Sequence, residues 1–306
     1  MKISVVLGSF NRLQFLPLTI DSVRHELSNI DCEIIVIDGG SDDGTVQWLI
    51  AQKDIITVLQ HNRGTWNGRP IKRRSWGYFM NLGFKIAQGK YVCMLSDDCL
   101  VVPGAIVNGY EYFEAELEKK RKIGALAFYW RDWSSENHKY HVGCTLGGKM
   151  YVNHGMFLNK ALKNVNYCDE ETFFFYNGDG DLCLKMWYQG YECIDAPHSY
   201  IEHYPHASID VRKTNYVKFN QDLKNYLKKW NGIFYNPLIH NVGMQIEKEY
   251  VDPYETGQLF ASLHQVIVND NPHLIRKPSQ YGLFIRQLNW KVQAGVRKIR
   301  CWYNSR

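Results

Sequence analysis

Long apolar runs are missing from this 306-residue chain. None approaches the roughly 18 residues that a membrane-spanning helix requires, and Lys2 leads straight into a strand-like segment, without a signal peptide's apolar core and cleavage site. The expectation is a protein made and kept on the cytosolic side. Paired cysteines are missing too. None of the eight stands in a CxxC pair, and several lie in apolar runs such as Val92-Cys93-Met94, so buried, reduced thiols are expected rather than a disulfide or zinc framework. No GxxxxGK[ST] phosphate loop or spaced-glycine dinucleotide fingerprint occurs. Calcium hands fail as well, because Gly40 breaks the ligand order begun at Asp38, and Leu182 stands where the turn at 177–181 needs glycine. Acidic residues are absent from 271–306, which holds eight Lys or Arg. The net charge of +5 therefore belongs to a tail, the rest of the chain is slightly acidic, and a nucleic-acid surface over the main domain is not expected.

What is present folds: 45% hydrophobic, 14% aromatic and 22% charged residues exclude wholesale disorder. Apolar runs at 3–7, 33–37, 57–59 and 91–95 alternate with amphipathic stretches near 17–26, after Gly44 and near 75–87. Such alternation predicts βαβ units, an α/β fold with a mostly parallel, Rossmann-like sheet flanked by helices. Ligands in such sheets sit beyond the carboxyl ends of the strands. Three of those ends are polar: Gly8-Ser9-Phe10-Asn11-Arg12, the Gly- and Asp-rich 38–45, and Ser96-Asp97-Asp98. Beyond residue 208, Tyr216, Phe219, Leu223, Tyr226, Leu227 and Trp230 fall at helix-face spacings and predict a helical C-terminal extension.

Asp97-Asp98 closes an apolar strand. Paired carboxylates at such an edge suit a hard divalent cation that takes its other ligands from water and phosphate oxygens, although capping or solvated turn acids have the same look. Residues 63–74 gather Arg63, Arg69, Lys72, Arg73 and Arg74, a composition that suits a diphosphate or a solvated loop. Trp130, Trp133, Tyr140 and His141 suit sugar stacking or a core.

Taken in order, these segments resemble the family 2 glycosyltransferases, inverting enzymes with a GT-A nucleotide-sugar-binding fold. Ile3-Ser4-Val5-Val6-Leu7-Gly8-Ser9-Phe10-Asn11-Arg12 is similar to that family's opening strand and turn, and Ile34 through Thr45 to its second. Asn62-Arg63-Gly64, Asn81-Leu82-Gly83 and Ala87-Gln88-Gly89-Lys90 then lead into Ser96-Asp97-Asp98. Gly178-Asp179-Gly180-Asp181-Leu182 resembles the acceptor-side segment, and 203–208 the closing H-x-x-x-x-S turn. The resemblance implies a nucleotide-sugar-binding half at 1–104, an acceptor-binding and catalytic half at 105–208 and an extension at 209–306. It places Ser9, Asn11, Arg12 and Arg73 on the donor, Asp38 at the nucleotide base, Asp98 as principal metal ligand with Asp97 beside it, His203 facing the diphosphate or metal, and Asp179 as catalytic base. Gly39, Gly178 and Lys185 depart from the acid, the Glu and the Arg common at those positions.

The chemistry fits two separate acidic sites, one to take the acceptor's proton and one to hold a cation against the leaving diphosphate. Asp181, at a helix start, is read as a cap of the turn at Leu184. The implied activity is a transferase, dependent on Mn²⁺ or Mg²⁺, that moves one sugar from a nucleotide diphosphate donor, a UDP-sugar favoured, to a glycan or lipid-linked glycan in bacterial cell-surface polysaccharide synthesis. A nucleotidyltransferase acting on sugar phosphates and a non-catalytic carbohydrate-binding relative are the alternatives. A processive synthase is not expected, since QxxRW is missing. Within 283–303, Ile285, Leu288, Val292, Val296, Ile299 and Tyr303 share a face flanked by Arg and Lys. That pattern suits peripheral contact with an anionic inner membrane face, or packing on the main domain or another subunit of an oligomer.

Overall fold

The computed structural model describes residues 1–132, 139–204, 209–238 and 244–251. In chain order the elements are β1 (Ile3–Ser9), α1 (Leu16–Leu27), β2 (Cys32–Asp38), α2 (Thr45–Ala51), β3 (Ile55–Leu59), β4 (Thr65–Trp66), β5 (Arg69–Pro70), α3 (Trp76–Ile86), β6 (Tyr91–Ser96), β7 (Cys99–Val101), α4 (Ala105–Glu118), β8 (Ile123–Asp132), β9 (Lys139–Cys144), β10 (Gly155–Leu158), α5 (Asn159–Asn164), α6 (Gly178–Tyr188), β11 (Glu192–His203), α7 (Ile209–Tyr216), α8 (Phe219–Lys229) and β12 (Gln245–Val251). One mixed sheet runs β12-β9-β8-β10-β6-β1-β2-β3, with β11 joined to both β8 and β7, while β4 and β5 form a separate hairpin.

The first four long strands pair in parallel, as the alternation of apolar runs predicts: β1 with β2 and β6, and β2 with β3. Their side chains alternate between two cores because successive residues of a strand point to opposite faces. Val5, Leu7, Ile34 and Val36 meet Leu16, Ile20 and Phe113 on one face, while Val6, Ile35 and Ile37 meet Phe79, Phe84 and Leu182 on the other. Each fully buried aliphatic side chain contributes about 1.5–3 kcal/mol relative to exposure, which is why both faces must be covered. Helix α3 comes close enough to β1 that a Cβ on Gly83 would lie 2.4 Å from Val6 Cγ1.

Beyond β6 the pattern changes. β10 runs antiparallel to both β6 and β8, whereas β8 and β11 pair in parallel. The reversal brings the start of β10 to the same edge as the end of β6, with Gly155 opposite Met94. The extension beyond 208 is not wholly helical: β12 adds antiparallel to β9 at the edge of the main sheet. Its residues 245–249 are exposed, so pairing with β9, rather than an apolar pattern legible in the sequence, fixes the strand. Seven cysteines are described and none is bridged; Cys301 lies outside the described residues. So do the amphipathic segment 283–303, Trp133 and residues 205–208 of the expected closing turn. Among the described residues no helix is long and apolar enough to cross a membrane.

Candidate active site

A cavity of about 390 Å³ opens at the carboxyl edge of the parallel strands, within the size range of small-molecule sites. It brings together Ser9, Arg12, Arg73, Asp97, Asp98, Asp179 and His203 among the residues singled out in the sequence. Asn11 and Asp38 do not line it. They hold its rim instead. The buried Asp38 carboxylate accepts the Gly40 and Ser41 N–H groups, both at 2.8 Å, and the Ser41 hydroxyl at 2.7 Å, which places Gly39 in the wall. Asn11, with φ of 53°, exchanges hydrogen bonds with Asp42, donating through Nδ2 at 2.9 Å and accepting through Oδ1 at 3.0 Å. These contacts join the turn after β1 to the turn after β2.

Asp97 and Asp98 follow β6 and are both buried. Arg12 reaches them from the turn after β1, with Nε 3.2 Å from Asp97 Oδ1 and Nη2 3.1 Å from Asp98 Oδ2. Burial pushes Asp97 up to about 6, with Arg12 opposing and neighbouring Asp98 adding to the rise. The same burial acts on Asp98, but Arg12 and His203 outweigh it and hold that carboxyl below its ordinary range. His203, at the end of β11, places Nε2 3.4 Å from Asp98 Oδ1 and Nδ1 2.8 Å from Asp132 Oδ1. Burial alone would lower it; the two carboxylates raise it to about 9 instead.

Asp179 lies in the first turn of α6, where Asn177, in the left-handed region at φ of 64°, starts the helix. Its carboxyl is raised by burial, against which hydrogen bonds from the Gly180 N–H, at 2.8 Å, and from Asn153 act. A carboxyl held above its ordinary range on a cavity wall is suited to proton transfer. Asp181 does not cap the helix. Fully buried, it accepts hydrogen bonds from Lys229 Nζ and Trp230 Nε1, both at 2.9 Å, and so ties α6 to the end of α8. A tertiary partner has taken the carboxylate that local spacing assigned to a cap.

Three further features escaped the sequence reading. Asn153, which lines the cavity, and the buried His154 precede a strand rather than follow one, and reach the site because β10 is antiparallel. His154 Nε2 lies 3.2 Å from Ser96 Oγ, and burial beside His203 lowers it to about 3. Asp222 of α8 accepts three consecutive backbone N–H groups, from Phe174 and Phe175 at 2.8 Å and Tyr176 at 2.9 Å, and thereby holds a loop that lines the cavity. Arg63 and Arg73 lie half-buried on the rings of Phe10 and Phe174, at 4.4 and 4.7 Å, and both donate to Thr214 and Asn215 of α7. Among the described residues neither meets a carboxylate, and burial together with Arg73 lowers Arg63 to about 10. Trp130 lies beside His141 and His203, at ring separations of 4.1 and 6.0 Å, and Tyr140 is buried.

Among the described residues no group of three or more His, Cys, Asp or Glu is arranged to enclose a metal by itself. The donor set fits a cation that shares its ligands with a bound phosphate: Asp98, Asp97 and His203 converge on one wall. Nearby, Arg12 Nη1 and Asn177 Nδ2 are buried with no hydrogen-bond partner among the described residues, as donors awaiting acceptor oxygens would be.

A sheet with this order and a polar, carboxylate-bearing cavity at its carboxyl edge defines a GT-A-like α/β protein. In agreement, a mannosyltransferase of Pyrobaculum calidifontis, solved with GDP-Man and Mn²⁺, superposes with a TM-score of 0.51 at 14% identity, covering 74% of this chain and 64% of that one. Residues 4–119 match the family model described as Glycosyl transferase family 2. Over 116 residues, 37% of this chain and 33% of the relative, it is 31% identical to an uncharacterized glycosyltransferase of Nostoc sp.. Over 114 residues, 36% and 32% respectively, it is 28% identical to the poly(ribitol-phosphate) beta-N-acetylglucosaminyltransferase TarP of Staphylococcus aureus. The matched part of the chain spans about a third of the length of each of these curated relatives.

Proposed function

We propose that the protein is an inverting glycosyltransferase that moves one sugar from a nucleotide diphosphate donor, a UDP-sugar favoured, to a glycan or lipid-linked glycan acceptor of a bacterial cell-surface polysaccharide. The observation that carries this reading is a single cavity lined by two acidic sites of different character: Asp97-Asp98, paired with Arg12 and His203, and Asp179, which no cation meets among the described residues. Residues 1–104 would form the donor half and 105–208 the acceptor half, with 209–306 as an extension whose α8 braces the second.

In the reaction, the Asp179 carboxylate takes the proton of the acceptor hydroxyl as its oxygen attacks the anomeric carbon. The bond from that carbon to the diphosphate breaks on the opposite face, and configuration inverts. A general base positioned in this way supplies about 10²- to 10⁴-fold. Arg12, Arg63 and Arg73 supply donors for the departing diphosphate, and the unpartnered Arg12 Nη1 is one of them. Asp98, Asp97 and His203 would hold a Mn²⁺ or Mg²⁺ ion, which when bound neutralises charge on the diphosphate oxygens. The mannosyltransferase solved with GDP-Man and Mn²⁺ and the N-acetylglucosaminyltransferase TarP support the reaction class.

The test is product formation from radiolabelled nucleotide sugars with Mn²⁺ present, preceded by a thermal-shift screen of UDP, GDP and their sugars. A ligand at 100 times its Kd raises stability by about 2.7 kcal/mol. A protein stabilised by no nucleotide and forming no labelled product would refute the reading.

A further inference from the structure

We infer that Trp76 is the platform on which the acceptor sugar lies beside Asp179, and that glycine at 178 exists to seat its indole; the inference rests on the transferase reading above. Trp76 opens α3, and its position is fixed through the backbone. Its N–H donates to the Phe174 carbonyl at 2.8 Å, while the preceding Ser75 hydroxyl accepts the Tyr78 N–H at 3.0 Å and donates to the Glu170 carbonyl at 2.8 Å. The start of α3 is thus pinned to the loop that precedes α6.

A Cβ at residue 178 would lie 2.8 Å from Trp76 Cε3 and 3.1 Å from Cζ3, closer than real carbon atoms approach. Gly178 is not among the residues with positive φ, so backbone conformation does not require glycine there. The indole is the remaining requirement. Its six-membered ring occupies the space a side chain at 178 would fill, one residue before Asp179, and Trp76 and Asp179 both line the cavity.

The two substrates make different demands. The diphosphate of the donor needs cations and hydrogen-bond donors, which an indole carbocycle does not offer; a nucleobase would stack on it, and UDP affinity reads that case. A pyranose ring presents an apolar C–H face, which an aromatic surface binds while leaving the hydroxyl groups at the ring edge free. The attacking hydroxyl must reach Asp179, so its ring lies against whatever flanks that residue. Two aromatic side chains flank Asp179: Tyr226 against Gly180 is buried and does not line the cavity, whereas half-buried Trp76 against Gly178 does. Its role is therefore specificity toward the acceptor, with Asp179 carrying the chemistry.

The experiment uses the full chain labelled with 5-fluorotryptophan, with UDP and Mg²⁺ bound, titrated with methyl glycosides of glucose, galactose and N-acetylglucosamine and followed by ¹⁹F NMR. Trp76→Phe, which keeps most of the ring volume, identifies the Trp76 resonance by its loss. That resonance is expected to move on addition of at least one glycoside. Gly178→Ala should displace it without sugar and weaken glycoside binding as Trp76→Ala does, roughly three- to tenfold. The double variant should bind no more weakly than Trp76→Ala alone, because the two substitutions remove one interaction. UDP affinity should be the same throughout. A Trp76 resonance indifferent to every glycoside while UDP binds, additive losses in the double variant, or a UDP affinity that falls with Trp76→Ala would each overturn the platform. Failure of UDP to bind the unsubstituted protein would overturn the transferase reading, and the platform with it.

Discussion

Two buried carboxylates hold two loops at the rim of one cavity, and they do so from very different distances along the chain. Asp38 accepts the N–H groups of Gly40 and Ser41, two and three residues away, and fixes the turn after β2. Asp222 accepts those of Phe174, Phe175 and Tyr176, 46 to 48 residues away, and fixes the loop before α6. The first arrangement is local and comes with the strand that carries it. The second exists only once α8 has docked, helped by Lys229 and Trp230 on Asp181. The rim beside β2 is therefore assembled within βαβ units, whereas the rim before α6 depends on a helix outside the segment that matches the family model. On the transferase reading proposed above, with the donor beside β2 and the acceptor beside the loop before α6, acceptor recognition can change with the C-terminal region while the donor side stays intact.

The largest expected effect separates the two regions by chemistry. Asp179→Asn should lower transfer by about 10²- to 10⁴-fold, while the affinity for UDP stays close to that of the unsubstituted protein. An amide fills the same space but cannot take the proton. Burial raises the Asp179 carboxyl, so its protonated form is favoured in the fold. The stability this contributes is present below the ordinary carboxyl range and is lost as pH rises through the raised value. At pH 7 the asparagine variant should accordingly melt no lower than the parent, with the difference closing in acid. The same shift puts the acid limb of kcat/KM above the ordinary carboxyl range of about 3.9. Wild-type turnover in Asp179→Asn would transfer the role to another carboxylate.

Asp98→Ala should act on the opposite side, removing the part of donor binding that depends on Mn²⁺. Calorimetry with UDP in the presence and absence of Mn²⁺ would read the difference directly. The unsubstituted protein should bind UDP more tightly with the ion, and the variant should bind equally with and without it. Full transfer after exhaustive EDTA treatment would count against a metal and leave the leaving group to Arg12, Arg63 and Arg73.

Asp222→Ala tests the comparison itself. It strands three backbone N–H groups and should cost at least about 3 kcal/mol of stability, since each unsatisfied buried donor costs roughly 1–3 kcal/mol. Asp222→Asn, which keeps one carbonyl oxygen, should cost less. If the loop is an acceptor element, the asparagine variant will show a raised acceptor KM with UDP affinity unchanged. Asp38→Asn should show the reverse. Equal losses on both substrates in both variants would mean that the two sides do not assemble separately.

The same contrast explains what could be read from the sequence. The parallel strands, the three polar strand ends and the helices after them follow from local alternation, and Arg12, Asp97 and Asp98 stand at those ends. Reading only the residues after strands missed Asn153 and His154, because an antiparallel strand presents its beginning at that edge. Asp222 could not be told from a solvated acid on an amphipathic helix, and Asp181 could not be told from a cap, because their partners are 46 to 49 residues distant. The position of Trp76 over Gly178 was equally invisible, since nothing in the spacing of residues 76 and 178 brings them together.

The smallest effect is expected at the seam between the two sides. Arg63 lies on Phe10, from the turn after β1, and Arg73 on Phe174, from the loop before α6, and both donate to α7. Burial and the neighbouring Arg73 lower Arg63 to about 10, so the free protein holds this charge at a cost. A basic group whose pKa falls on folding binds its proton less well in the native state, and the cost persists at every pH below that value. At neutral pH Arg63→Gln should therefore leave the stability of the free protein within about 0.5 kcal/mol of the parent, despite the loss of a ring contact and hydrogen bonds. The stabilisation conferred by UDP should fall by more than that, because charge-assisted donors to phosphate are among the stronger hydrogen bonds. Thermal melts of the variant with and without UDP read both quantities at once. A variant that melts far below the parent without ligand, yet gains as much from UDP, would make Arg63 a structural strut between the two sides rather than a ligand of the donor.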